Sequence, residues 1–261
     1  MESQKGVRHA QHGEGRGHVV GLVDCPGCRS NSKIFELYQS QDCSSCPPAI
    51  SNVNSLVGRP GLLPLTFAVT YWDGLGWKDT FAKPEFANRQ YAFRDGLGTH
   101  EVYTPQVIVD GRIALVGVEK NELDRKIEAA QPLTGPAITI DKNQISVGGG
   151  NDASADIWLV TYDPGPLRVA VGRGENAGTT IEHRNVVRSL IRLGSWLGKP
   201  ETLHIPIIAG THWKELIFVQ SANGGQILSA CESIVLTSRP TWLRWLGLRV
   251  APIVNRNSSL T

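Results

Sequence analysis

The sequence predicts an α/β domain followed by an all-β, sandwich-like domain, and three observations carry that expectation. Between Lys33 and Ala130, β-rich apolar runs alternate with stretches whose apolar residues recur at helical spacing. After "QPLTGPA" the texture changes to short strand-like runs separated by Gly, Asn, Asp and Pro, with no convincing helix among them. At 261 residues the chain is long enough for two units, each burying its own core. The expected division is a flexible leader over 1–32, the α/β domain over 33–132, the β-rich domain over 137–238 and a C-terminal tail over 239–261.

In order, "KIFELYQS" reads as the first strand, and "CPPAISNVNSLVG" follows as a helix with Ala49, Ile50, Val53, Leu56 and Val57 on its apolar side. Pro47 and Pro48 fall in the first turn, where helix N–H groups are unpaired in any case, and Gly58 is the expected stop. "LLPLTFAVTY" has the near-continuous apolar character of a strand covered on both faces. A second helix is expected from Pro84 to Asp95, ended by Gly96, with Phe86, Tyr91 and Phe93 toward the core. "TPQVIVDGRIALVG" is a hairpin turned at Asp110-Gly111, because both central residues of a type I′ turn need positive φ. "EKNELDRKIEAA" closes the segment as an amphipathic helix with Leu123 and Ile127 inward, giving the order β-α-β-α-β-β-α.

The composition excludes several partners. A formal charge of +2, with Lys and Arg scattered among acids, gives no footprint for nucleic acid. No run approaches the roughly 20 apolar residues needed to span a bilayer. The leader is polar and has no apolar core of secretory length. Of five cysteines, four fall in two CxxC pairs, Cys25 with Cys28 and Cys43 with Cys46, which points to redox or metal chemistry rather than to cross-linking.

A strand, a CxxC at a helix start, and a distant Thr104-Pro105 just before a hairpin and a last helix is the layout of the thioredoxin fold. A thiolate at a helix N-terminus is stabilised by unpaired N–H groups and the positive end of the helix dipole. Cys43, expected to be the more exposed member, is the candidate nucleophile, and Cys46 the resolving thiol. An X-Pro bond adopts the cis form far more cheaply than other peptide bonds, so Thr104 and Pro105 are candidate substrate-binding residues facing the pair.

The stretches "ELYQSQDCSSCPPA", "YWDGLGWKD", "VYTPQVIVDGR" and "VGRGENAGTTIEHRNVVRSLIRLGSW" resemble the bacterial thioredoxin-like family of domain of unknown function 1223, over about Lys33 to Val235. The resemblance implies a thioredoxin-like domain followed by a β-rich domain, usually in periplasmic or secreted proteins. It supplies no reaction, and the polar leader with its Cys-Pro-Gly-Cys departs from the exported pattern.

The remaining candidates each have a plainer reading. Trp72 and Trp77 could form a substrate platform beside the CxxC, or cap the core. Glu36 and Asp73 are candidate proton-relay groups, with Asp79 a second acid in the same loop; their alternatives are a strand acid and a loop cap. His100 reads as a solvated loop residue, and Arg173, Glu175 and Asn176 as a polar turn or an interdomain cluster. Cys231 reads as a small buried apolar side chain. The function expected is thiol-disulfide exchange by Cys43 and Cys46 on a protein or peptide thiol, with no cofactor. The alternative is a non-catalytic binding or assembly module, its cysteines paired in a structural disulfide or holding zinc through Cys25, Cys28, Cys43 and Cys46.

Overall fold

The computed structural model describes residues 28–30, 32–141, 143–151, 154–205 and 212–233. The first part runs β1 (Cys28–Ser30), β2 (Lys33–Gln39), α1 (Cys46–Asn54), β3 (Leu62–Ala68), α2 (Pro84–Leu97), β4 (Gln106–Val109), β5 (Ile113–Leu115) and α3 (Lys120–Ala129). The remainder is all strand: β6 (Ile138–Asp141), β7 (Gln144–Val147), β8 (Ala155–Asp163), β9 (Leu167–Ala170), β10 (Thr180–His183), β11 (Val186–Trp196), β12 (Glu201–His204), β13 (Lys214–Ser221) and β14 (Ile227–Ser233). The order from β2 to α3 is the one expected. The tail and Cys25 lie outside the described residues. No described helix is long and apolar enough to cross a membrane.

The hairpin turn follows its sequence signal: Asp110 and Gly111 have φ of 51° and 65°. Helix α2 departs from expectation by one half-turn. It ends at Gly98, which takes the left-handed conformation with φ 65°, while Gly96 lies inside the helix. Gly96 is there for contact rather than for a stop, because a Cβ at that position would overlap the Gly224 carbonyl in the turn between β13 and β14.

The larger departure is in the sheet. Nine strands form one mixed sheet in the order β1-β14-β13-β8-β11-β3-β2-β4-β5. The pairs β2/β3 and β3/β11 are parallel, and the others are antiparallel. The expectation of an independent sandwich over 137–238 is therefore corrected: β8, β11, β13 and β14 continue the first sheet. The physical reason is the bare side of β3, a buried strand whose unpaired N–H and C=O groups need a neighbour. β11 joins it at Val186 opposite Thr66, where the Thr66 amide donates to the Asn185 carbonyl at 2.9 Å. Asn185 Nδ2 donates to the Pro64 carbonyl at 2.7 Å, and Thr66 Oγ1 to the Arg184 carbonyl at 2.9 Å. The leader is corrected likewise, since residues 28–30 pair with β14.

Alternation along β8 shows why the second half still looked like a sandwich. Trp158, Val160 and Tyr162 pack with Phe86 and Phe93 of α2, while Ile157 and Leu159 pack with Ile138, Ile145 and Val147 of the small β12-β7-β6 sheet. Sheet does layer on sheet there, but as a cover on the long one. On the other side of β2, Phe35 and Leu37 share a cluster with Cys43, Cys46, Ile50 and Val53, joined by Val171 and Ile181 from β9 to β10. That last contribution brings the second half of the chain to the cysteines.

Candidate functional site

The stretch after β2 turns back on itself, with the Cys43 amide donating to the Ser40 carbonyl at 3.2 Å, and delivers Cys43 to the start of α1. Ser45 occupies the N-cap position but makes no side-chain cap. Its hydroxyl instead lies 3.3 Å from Cys43 Sγ and 3.5 Å from the Thr104 carbonyl oxygen. Cys46, in the first turn, donates its S–H to Cys43 Sγ at 2.6 Å. Both thiols are free. Thr104-Pro105 is cis, and the Thr104 carbonyl lies 3.7 Å from Cys43 Sγ. Cys43, Cys46, Thr104 and Pro105 are thus brought together.

The two sulfurs are driven apart in acidity. Cys43 is pulled down to about 6, chiefly by the Cys46 S–H and then, against the cost of burial, by Ser45 and Thr104. The Thr104 hydroxyl oxygen is buried with no hydrogen-bond partner. Burial, followed by the hydrogen bond to Cys43, pushes the Cys46 thiol far up. One thiolate backed by one thiol is the charge state that thiol-disulfide exchange needs of an attacking and a resolving group.

Access differs from expectation. Cys43 and Cys46 are both 0% exposed, although Cys43 was expected to face solvent. The turn between β9 and β10 lies over the loop that carries Cys43, and Val171 and Ile181 on either side of it share an apolar cluster with both cysteines. Glu175 Oε2 accepts the Ser44 amide at 3.0 Å, and Asn176 Nδ2 donates to both the Gln41 and the Cys43 carbonyls at 2.9 Å. Buried Asp42 ties the turn to the neighbouring loop, accepting the Glu175 amide at 2.7 Å and the Trp77 amide at 3.2 Å. Gly174, at φ 80°, packs so closely on Asp42 that a Cβ would overlap its carboxylate. The glycine-rich "GRGEN" was the only signal of this in the sequence, and nothing in it names the target.

Other candidates are placed elsewhere. Glu36 is buried, but on the sheet face opposite the cysteines. Its carboxylate takes Arg89 Nε and Nη2, both at 2.6 Å, and the Tyr38 hydroxyl at 2.7 Å. A relay from Glu36 to Cys46 is corrected accordingly, since β2 itself stands between them. Asp73 Oδ1 accepts the Asp79 amide at 3.1 Å, and Asp79 in turn accepts the Gln41 and Phe81 amides at 2.8 Å. Burial raises Asp79 to about 6. The Trp77 indole donates to Gln41 Oε1 at 2.9 Å and lies under Gly172, while Trp72 packs against both faces' cores. These two indoles wall the cysteine loop.

Tyr71, unremarked in the sequence, donates to Gln90 Oε1 at 3.1 Å, and Gln90 Nε2 donates to the Tyr103 carbonyl at 2.8 Å beside the cis bond. Burial raises its phenol, with charge on Cys46 and Cys43 adding to the effect. His100 is exposed, as expected. Cys231 is buried as expected but is disulfide-bonded, its partner lying outside the described side chains. Cys25 and the Cys28 side chain are not described, and among the described residues no cluster of His, Cys, Asp and Glu could hold a metal ion.

Two solved structures are similar in fold. A crystal structure of protein AGR_C_4864 from Agrobacterium tumefaciens aligns with a TM-score of 0.63 at 27% identity, over 80% of this chain and 96% of that one. HBP35 of Porphyromonas gingivalis aligns with a TM-score of 0.51 at 10% identity, over 90% of this chain and 83% of that one. No curated protein matches the chain in sequence. A family model does match, over residues 34–220, which include the CxxC, the cis bond and the covering turn, and the chain therefore belongs to the family described as protein of unknown function, DUF1223.

Proposed function

We propose that the protein is a thiol-disulfide oxidoreductase of thioredoxin-like type. The observation that carries this reading is the split pair: Cys43 lowered to about 6 with the Cys46 S–H 2.6 Å from its sulfur and the Thr104 carbonyl across from it. The Cys43 thiolate attacks a substrate disulfide, forming a mixed disulfide and releasing one substrate thiolate. Cys46 then loses its proton and attacks Cys43 Sγ, releasing the second thiolate and leaving the Cys43–Cys46 disulfide. Two electrons pass from the pair to the substrate, and an external dithiol restores the reduced form. Pro105 shapes the loop that holds the Thr104 carbonyl in place.

The test is alkylation of Cys43 across pH, together with reduction of insulin disulfides. A midpoint near 6 and an activity lost in Cys43→Ser support the reading. A midpoint at about 8.5, the value of an unperturbed thiol, with no exchange activity overturns it. Cys46→Ser should accumulate the mixed disulfide and identify the substrate.

A further inference from the structure

The covering turn makes contacts of an unusual kind. Three of its four hydrogen bonds to the cysteine loop go to main chain: Glu175 Oε2 takes the Ser44 N–H, and Asn176 Nδ2 gives hydrogens to the Gln41 and Cys43 carbonyls, while the fourth runs from the Glu175 amide to Asp42 Oδ1. A carboxylate oxygen stands where a peptide carbonyl would accept, and a side-chain amide stands where peptide N–H groups would donate. Residues 172–175 and 177 are exposed, so the turn is a thin cover with solvent on its outer side. Its removal would expose the loop that carries Cys43, leave the Ser44 N–H and the Gln41 carbonyl unpaired, and take from the Cys43 carbonyl one of its two donors, the other being the Cys46 amide, next to the Thr104 carbonyl.

We infer that residues 172–178 are a specificity lid that imitates an extended peptide, and that the substrate is an extended cysteine-bearing polypeptide segment whose main chain replaces Glu175 and Asn176 on Ser44, Gln41 and Cys43. Glu175 and Asn176 are then specificity-determining residues of the exchange reaction, an inference that rests on the redox reading above. A small disulfide with no peptide groups reaches Cys43 only during spontaneous opening. A peptide disulfide forms the vacated bonds as the lid leaves, and so reacts faster for the same thiol leaving group.

Two measurements on the full chain test this. The first is the pH-independent limiting rate of Cys43 alkylation by iodoacetamide. Each lid hydrogen bond is worth a factor of several in the opening equilibrium, so Glu175→Ala and Asn176→Ala should each raise that rate by about fivefold or more. Glu175 is exposed and its replacement does not threaten folding. The second compares a cysteine hexapeptide disulfide with its version N-methylated at the amides flanking cysteine, and with hydroxyethyl disulfide. The unmodified peptide should react fastest, and methylation should remove most of the advantage.

Unchanged limiting rates in both variants overturn the lid, and equal rates for the peptide and its methylated form overturn the peptide mimicry. If either occurs while Cys43 keeps its midpoint near 6 and wild-type exchange persists, only this inference falls. A wild-type protein with an unperturbed thiol and no exchange would instead remove the redox reading itself.

Discussion

His183 is 0% exposed, neither ring nitrogen has a partner, and Phe81 meets its ring edge-on at a centroid distance of 5.5 Å. Burial alone lowers its pKa from 6.5 to about 4. Above pH 6.5 the imidazole is neutral in both folded and unfolded chains and contributes no pH dependence. Below it, the unfolded chain takes up a proton that the folded one refuses. Stability is therefore lost at about 1.4 kcal/mol per pH unit down to about pH 4, or about 3 kcal/mol in all. Asp79 and Asp110 oppose this, because burial raises each from 3.8 to about 6 and the folded form protonates first as pH falls. Wild-type stability alone would mix the three. The difference between His183→Phe and wild type isolates one, since both proteins keep the aspartates. Urea denaturation at pH 7 and pH 5 should show that difference moving in favour of the variant by about 2 kcal/mol. A difference that does not change with pH would refute the assignment of a neutral, unpartnered imidazole.

Three other outcomes can be checked on the same protein. Arg89→Met strands the Glu36 carboxylate in the core and should cost about 3–5 kcal/mol in denaturant unfolding. Glu36→Gln, by contrast, should leave the pH midpoint of Cys43 alkylation where it is, because the sheet separates the two. Cys46→Ala removes the hydrogen bond that most lowers Cys43 and should move its thiolate absorbance midpoint up from about 6 toward about 8.5. Gly174→Ala puts a Cβ into the Asp42 carboxylate at a positive φ, and should speed Cys43 alkylation as the Glu175 and Asn176 contacts loosen.

Local signals in the sequence translated well where the chemistry is local. Asp110-Gly111 named its turn, and a CxxC before Pro47-Pro48 marked the start of α1. Contacts between residues far apart in the chain were illegible for a physical reason: a free strand edge has no composition. Nothing in "LLPLTFA" says that Val186 will pair with Thr66, so a continuing sheet read as a separate domain. Glu36 was misassigned because its partner Arg89, on α2, neutralises it across 53 residues. Asn176 was read as part of a polar turn or of a cluster between the two halves of the chain, but neither reading named its two acceptors, which lie 135 and 133 residues earlier. Backbone carbonyls are anonymous in a sequence, and a turn that binds them leaves no motif.

That same separation has a meaning in time. Glu175 is made 131 residues after Ser44. At roughly 5–20 residues per second, the growing chain therefore carries Cys43 and Cys46 for roughly 7–26 seconds before their cover exists. Through that interval β3 also lacks its neighbour β11. The growing chain thus presents a pair of thiols that the finished fold buries, and the strands that close over them are among the later ones to be made.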